Sequence, residues 1–124
     1  MHPKKLLIAE QGKALREEYA KNFPKEWTLI FAEDGEQAIE LMDRAQPDLL
    51  LSCIHMPKID GFELLIHVRE KHYAFPVVIL TNFDQDDFKL RAEELGATAY
   101  YVKKDYTIKM IIPEIEKYLH PSAT

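Results

Sequence analysis

The chain has 124 residues, of which 47% are hydrophobic and 30% are charged, and its formal net charge is −5. A chain of this length predicts a single domain over residues 1–124, with its core at about residues 4 to 119. The acidic balance argues against nonspecific binding to nucleic acid or to an anionic membrane surface, because both need a cationic field.

The sequence shows no signal for export or for membrane insertion. Its longest apolar runs, Leu6 to Ala9 and Leu49 to Leu51, fall far short of the roughly 20 residues that a membrane-spanning helix needs. The single cysteine, Cys53, allows no intrachain disulfide, so we expect a cytoplasmic location. The four glycines are isolated from one another, which excludes the glycine-rich loops that cradle nucleotide phosphates.

Short apolar runs alternate with helical patterns through the first half of the chain. The predicted strands of this half are Lys5 to Ala9, Thr28 to Ala32, and a buried strand from Leu49 that stops at Cys53. Between them the sequence predicts two helices, one through Leu15, Tyr19 and Phe23 and one through Ala38 to Ala45. Pro24 and Pro47 end the two helices, because proline disfavours helical backbone at the residue before it.

The second half repeats the alternation. Its predicted strands are Val77 to Thr81 and Ala99 to Val102. Its predicted helices are one through Phe62, Leu65 and Val68, a charged helix from Asp84 to Leu95, and a last helical pattern from Ile108 to Leu119. Gly96 is well placed to end the charged helix. Pro113 interrupts the last pattern, so we expect a short first turn and a main helix that restarts near this proline.

Strands that alternate with helices in this way predict an α/β fold with a doubly wound parallel sheet of five strands. In such a sheet the carboxyl ends of the strands meet at one crevice, where ligands bind. The polar residues expected there are Glu10 and Gln11 after the first strand, Cys53 and His55 after the third, Thr81 at the end of the fourth, and Lys103 after the fifth.

This set of residues, with the sequence MPKIDG after the third strand, resembles the CheY-like receiver domain of bacterial response regulators over residues 4 to 119. The resemblance implies a flavodoxin-like three-layer sandwich with strand order 2-1-3-4-5. It also implies a phosphorelay site, in which two acidic residues bind Mg²⁺ and an Asp accepts phosphate. In such a site a Thr and a Lys bind that phosphate, and an aromatic residue three positions before the Lys changes its rotamer. Thr81, Tyr100 and Lys103 match the last three positions.

The acidic positions depart from the family pattern. Glu10 occupies the first of them, but Gln11 occupies the second and Cys53 stands at the phosphoacceptor position. Mg²⁺ requires oxygen ligands in octahedral geometry and does not favour a thiolate, so we expect weak or absent Mg²⁺ binding and no phosphorylation. Lys104 stands where the family commonly has Pro, and we expect a trans peptide bond there.

Several residues have more than one interpretation. Cys53 either fills the space of the missing carboxylate, or senses oxidants through its thiol, or joins His55 and Glu10 in a site for a soft metal. Lys103 is expected to form a structural ion pair with Glu10. Thr81 either caps the next loop or is a relic of the switch, and Tyr100 belongs either to the core or to a partner-binding surface.

Two polar clusters are interpreted as structural. His67 and His72 are five residues apart on a helix, which places them on different faces, so we expect both to be solvated. Asp84, Asp86 and Asp87 are expected to stabilise a helix N-terminus through the helix dipole.

Together these residues predict an atypical, stand-alone receiver-like domain that is not an enzyme and has no catalytic residue and no cofactor. We expect it to act as a phosphorylation-independent protein-interaction module in a two-component-type pathway. Since the sequence ends at Thr124, we expect the signal to pass to another polypeptide. By resemblance the partner face is the fourth helix, fifth strand and fifth helix, with Tyr100, Lys104, Ile108 and Met110. The alternatives are a conventional phosphorelay regulator, a thiol sensor, and a fragment of a larger regulator.

Overall fold

A computed structural model describes residues 3 to 120, in which five strands alternate with five helices. The strands are β1 (Lys5–Ala9), β2 (Thr28–Ala32), β3 (Leu49–Ser52), β4 (Val77–Thr81) and β5 (Ala99–Val102). The helices are α1 (Lys13–Asn22), α2 (Gly35–Ala45), α3 (Gly61–Glu70), α4 (Asp86–Glu94) and α5 (Ile108–Leu119). The predicted domain limits, 1 and 124, lie outside the described residues.

The five strands form one parallel sheet in the order β2-β1-β3-β4-β5, so the predicted flavodoxin-like topology is confirmed. Neighbouring strands are in direct register, with Leu7 opposite Leu50 and Ile79 opposite Tyr100. Because side chains alternate between the two faces of a strand, the apolar runs supply both faces of the sheet. The sheet is therefore buried on both sides, as a parallel sheet between two helical layers must be.

Two apolar clusters build the layers above and below the sheet. One joins Leu7, Leu50 and Ile79 to α2, α3 and α4, and the other joins Ile8 and Leu51 to α1 and α5. Burial of an aliphatic side chain contributes about 1.5 to 3 kcal/mol, so these layers supply the main stabilisation of the fold. The crevice at the strand ends can therefore change its polar residues without loss of the scaffold.

Two of the predicted helix ends have the expected causes. Phe23 is extended, with φ −71° and ψ 150°, because Pro24 follows it, and α1 ends at Asn22. Gly96 has φ +100° and its N–H donates to the carbonyl of Glu93, which closes α4 in the manner predicted.

The loop between β3 and α3 lies tightly against its neighbours. A side chain on Gly61 would place its Cβ only 2.4 Å from the carbonyl oxygen of Cys53, and one on Gly35 would place it 2.0 Å from that of Ile59. The Gly61 N–H donates to the carbonyl of Ile54 at 2.7 Å. This close packing of backbone on backbone fixes the turn that follows Cys53.

The expected break at Pro113 is wrong, because α5 runs without interruption from Ile108 to Leu119. A proline in a helix interior costs about 3 kcal/mol, but the apolar face of this helix buries Ile111, Ile115 and Leu119, which outweighs that cost. Pro113 itself is on the exposed side.

Two of the polar clusters also differ from expectation. Asp84 lies outside α4, whose first turn contains only Asp86 and Asp87, and it pairs with Lys104 at 2.7 Å. His67 is half-buried rather than fully solvated: its Nε2 lies 2.9 Å from Asp43 Oδ1, and the hydroxyl of Tyr73 donates to the same oxygen. Thus a carboxylate of α2 holds the end of α3. His72 lies beyond the end of α3 and is exposed, as expected.

Within residues 3–120, no helix combines the length and apolar composition that crossing a bilayer requires.

Candidate functional site

A small crevice of about 180 Å³ opens at the carboxyl ends of the strands. It is lined by the predicted strand-end residues and two that follow Thr81, namely Glu10, Gln11, Cys53, His55, Thr81, Asn82, Phe83 and Lys103. Parallel strands place their carboxyl ends together, which is why residues up to 93 positions apart meet here. The sequence therefore located this crevice correctly. Asn82 and Phe83 were missed, although their position directly after a strand end was the signal that could have found them.

An ion pair between Glu10 and Lys103 occupies the floor of the crevice, as the sequence predicted. Glu10 is only 6% exposed, and its Oε1 accepts a hydrogen bond from Lys103 Nζ at 3.0 Å. Its other oxygen, Oε2, accepts the N–H of Gly12 at 2.9 Å. Both carboxylate oxygens are thus engaged by the protein's own donors.

The loop after β1 is fixed by Arg16. Its Nη1 donates to the carbonyl oxygens of Glu10 and Gln11 at 2.8 and 2.9 Å. These bonds hold the backbone of the loop, whereas the side chain of Gln11 is exposed at the crevice wall. Arg16 was not identified from the sequence, because its role depends on contacts with carbonyl groups that carry no sequence signature.

Cys53 follows directly after β3, and its N–H donates to the carbonyl of Ala9 at 3.1 Å. Its side chain is 6% exposed, and Sγ lies 3.4 Å from the carbonyl oxygen of His55. Burial and the nearby Glu10 carboxylate raise the pKa of the Cys53 thiol to about 11, while the Gln11 backbone N–H and Lys103 act in the opposite direction. The thiol is therefore neutral near pH 7.

His55 lines the crevice but is exposed. Among the described residues, no three His, Cys, Asp or Glu side chains are arranged so that they could hold a metal ion. The structure thus gives no support to the soft-metal alternative for Cys53, His55 and Glu10.

Thr81 and Tyr100 both hold the backbone of Phe83. The Thr81 hydroxyl accepts the N–H of Phe83 at 3.3 Å, and the Tyr100 hydroxyl donates to the Phe83 carbonyl at 2.7 Å. Burial, followed by the carboxylates of Asp84 and Asp87, raises the pKa of Tyr100 to about 12. Thr81 thus acts as a cap for its own loop, one of the two roles expected for it.

Lys104 lies next to the crevice residue Lys103 and forms an ion pair with the neighbouring loop. Its ammonium lies 2.7 Å from Asp84 Oδ2, joining the β5–α5 loop to the β4–α4 loop, and this contact lowers the pKa of Asp84. Among the described residues there is no cis peptide bond, so the expected trans bond before Lys104 is confirmed.

An alternating α/β sandwich with a polar crevice at its strand ends, a lysine after β5 and a threonine at the end of β4 defines the receiver class of signalling domain. Consistent with this, the model of the response regulator receiver domain family matches residues 6–116, and the chain belongs to that family.

The chain is similar to two bacterial transcriptional regulatory proteins. The transcriptional regulatory protein PdtaR of Mycobacterium tuberculosis is 38% identical over 116 residues, which cover 92% of this chain and 56% of PdtaR. The transcriptional regulatory protein YdfI of Bacillus subtilis is 38% identical over 72 residues, covering 58% of this chain and 33% of YdfI. The chain therefore spans about half, or less, of the length of these relatives.

Solved structures agree on the fold. The receiver domain of the Francisella response regulator 1452 superposes with a TM-score of 0.86 at 25% identity, covering 94% of this chain and 96% of that one. The chemotaxis protein CheY4 of Vibrio cholerae gives a TM-score of 0.81 at 22% identity, covering 93% and 98%, which shows the shared fold alone.

The donor set of the crevice does not fit the Mg²⁺ ion of a phosphorelay site. Mg²⁺ takes hard oxygen ligands at about 2.0 to 2.1 Å in an octahedron. Among residues 3–120, Glu10 supplies the only carboxylate that lines the crevice, and it already accepts hydrogen bonds from Lys103 and Gly12. Gln11 and Cys53, which also line the crevice, contribute an amide and a neutral thiol.

We predict that the thiol of Cys53 ionises in the folded protein with a midpoint near pH 11, against 9.0 for an ordinary cysteine, because burial and Glu10 disfavour the thiolate. Folding raises this pKa, so the contribution of Cys53 to stability is present below pH 9 and is lost as the pH rises through 11. The measurement is the pH dependence of the iodoacetamide alkylation rate, read by intact mass, with the urea-unfolded chain as reference. A folded midpoint below pH 8 would contradict the prediction.

Proposed function

We propose that this chain is a receiver domain that has lost phosphotransfer and signals by binding another protein, in a two-component-type pathway and independently of phosphorylation. It has no enzymatic activity of its own in this proposal and uses no Mg²⁺. The single-domain organisation and the cytoplasmic location expected from the sequence remain predictions within it.

The observation that carries this proposal is the Glu10–Lys103 ion pair. In phosphoryl transfer, cations must neutralise the oxygens of the transferring group. Lys103, the cation at the crevice floor, is bound to Glu10 at 3.0 Å. One carboxylate balances one ammonium, which leaves the pair neutral and without the surplus negative charge that attracts a divalent ion.

The chemistry of residue 53 supports the same conclusion. The thiolate, not the thiol, is the nucleophile of cysteine, and Cys53 has a raised pKa and a buried side chain. These two properties also argue against the thiol-sensor alternative, since reactive cysteines are accessible and have lowered pKa values.

The surface formed by α4, β5 and α5 supports an interaction role. Leu90 of α4 and Met110 of α5 are 55% and 49% exposed, and they are the large apolar side chains that the described residues present most fully to solvent. The predicted partner residues differ in their solvent exposure: Lys104 is exposed, whereas Tyr100 and Ile108 are half-buried. We propose that Leu90 and Met110 supply its apolar contacts.

Incubation with acetyl phosphate and Mg²⁺, followed by intact mass measurement, tests the loss of phosphotransfer. We expect no 80 Da adduct on the wild-type chain, with 80 Da being roughly the mass of one added phosphoryl group. A conventional response regulator treated in parallel gives the positive control. An adduct that is lost in the Cys53→Ala variant would refute the proposal, because it would identify the thiol as an acceptor.

The missing carboxylates give a second prediction. The double variant Gln11→Asp with Cys53→Asp should bind Mg²⁺ in an isothermal titration, while each single variant binds at least about tenfold more weakly, because hard-oxygen ligands must act together on one ion. Wild-type protein that already binds Mg²⁺ below 1 mM, roughly the affinity of a weak carboxylate site, would show that the crevice has been misinterpreted.

The interaction surface can be tested by affinity capture from the native cell with the full chain as bait. Substituting Leu90→Ser and Met110→Ser together should abolish recovery of proteins that the wild-type chain enriches, because apolar side chains near the centre of an interface dominate its energy. Ala20→Ser, at an exposed position of α1, is the matched control. Equal recovery by both variants would place the interaction elsewhere.

A further inference from the structure

A shallow apolar groove of about 280 Å³ runs between α2 and α3, away from the strand-end crevice. Three half-buried isoleucines from three different elements line it: Ile39 of α2, Ile59 of the loop before α3, and Ile66 of α3. Ile39 and Ile59 pack against the buried core, and all three isoleucines keep part of their surface accessible. The groove thus offers an apolar strip on a helical surface that is otherwise polar.

Acidic side chains border this strip. Glu63 and Glu70 of α3 line the same groove and are exposed. Glu63 also accepts the N–H of Asp60 at 3.0 Å as part of the helix cap, so its position is fixed. His67 completes the lining and is held by Asp43 of α2.

The sequence segment that carries this groove also holds the acidic surplus of the chain. Residues 33–70, which form α2, β3 and α3 with their loops, contain nine Asp or Glu and three Lys or Arg, a net charge of −6. The rest of the chain contains twelve acidic and thirteen basic residues, a net charge of +1. The entire negative surplus of the protein therefore lies in the segment that carries the groove.

We propose that the α2–α3 groove docks a cationic amphipathic helix of a partner protein, separate from the surface formed by α4 and α5. The apolar face of the helix lies on Ile39, Ile59 and Ile66, as in other helix-in-groove complexes. Its Lys and Arg residues face Glu63 and Glu70, which also steer the encounter.

The charge distribution decides between possible occupants. A nucleic acid or an anionic membrane is repelled by a segment with a net charge of −6. A second copy of this chain has no strongly basic half to offer, because the remainder of the chain carries only +1. A basic helix from a different protein is the occupant that satisfies both the apolar strip and its acidic border.

The test is an NMR titration of the full, isotope-labelled chain with a peptide of about 15 residues, or four helical turns, built from Leu and Lys with the leucines on one face. A scrambled peptide of the same composition is the control for simple charge attraction. We expect at least about tenfold tighter binding of the amphipathic peptide, with the largest amide shifts in α2 and α3, and weaker binding at higher salt.

Two independent variants locate the site. Ile66→Ser removes apolar contact, and Glu63→Gln with Glu70→Gln removes charge while leaving an acceptor for the helix cap at position 63. Each should weaken binding by about fivefold or more, with an unchanged thermal midpoint as the folding control, whereas Met110→Ser on the α4–α5 surface should bind like wild type.

Three results would overturn the proposal. The first is equal binding of the amphipathic and scrambled peptides, the second is a set of amide shifts centred on α4 and α5, and the third is wild-type binding by both groove variants. A dimer of the free chain that Ile66→Ser dissociates in sedimentation would also overturn it, because the occupant would then be a second copy.

Discussion

The ion pair between Glu10 and Lys103 is the interaction on which the crevice of this receiver depends. It joins the ends of β1 and β5, the strands that flank β3 and β4 in the sheet. Burying a single carboxylate costs several kcal/mol unless it is paired and hydrogen-bonded, and Glu10 satisfies both conditions through Lys103 and Gly12. The crevice is therefore stable as it stands, with no external ion needed to balance its charge.

The scaffold and the chemistry of the crevice are separable. The sheet is held by apolar layers on both faces, and the loop around Phe83 is held by Thr81 and Tyr100 through ordinary hydrogen bonds. None of these contacts requires a carboxylate at position 53. Because fold and site rest on different residues, a receiver can keep its shape while the polar residues of its crevice vary.

The sequence predicted the parts of this structure that depend on local pattern and on topology. Short apolar runs between helical patterns predicted every strand. The convergence of the strand ends predicted that Glu10 and Lys103 would meet. It failed where tertiary packing overrides a local rule. Pro113 stays inside a helix because the burial of its apolar face outweighs the loss of one hydrogen bond, and His67 has a partner on α2 that no spacing along α3 indicates.

The uninterrupted helix α5 has a consequence at its exposed side. Since Pro113 carries no amide hydrogen, the main-chain oxygen of Lys109, one turn earlier, has no intrahelical donor to accept from. Lys109 is solvent-exposed and immediately precedes Met110. Any polypeptide that covers Met110 must therefore supply a hydrogen-bond donor to this oxygen or leave room for a water molecule.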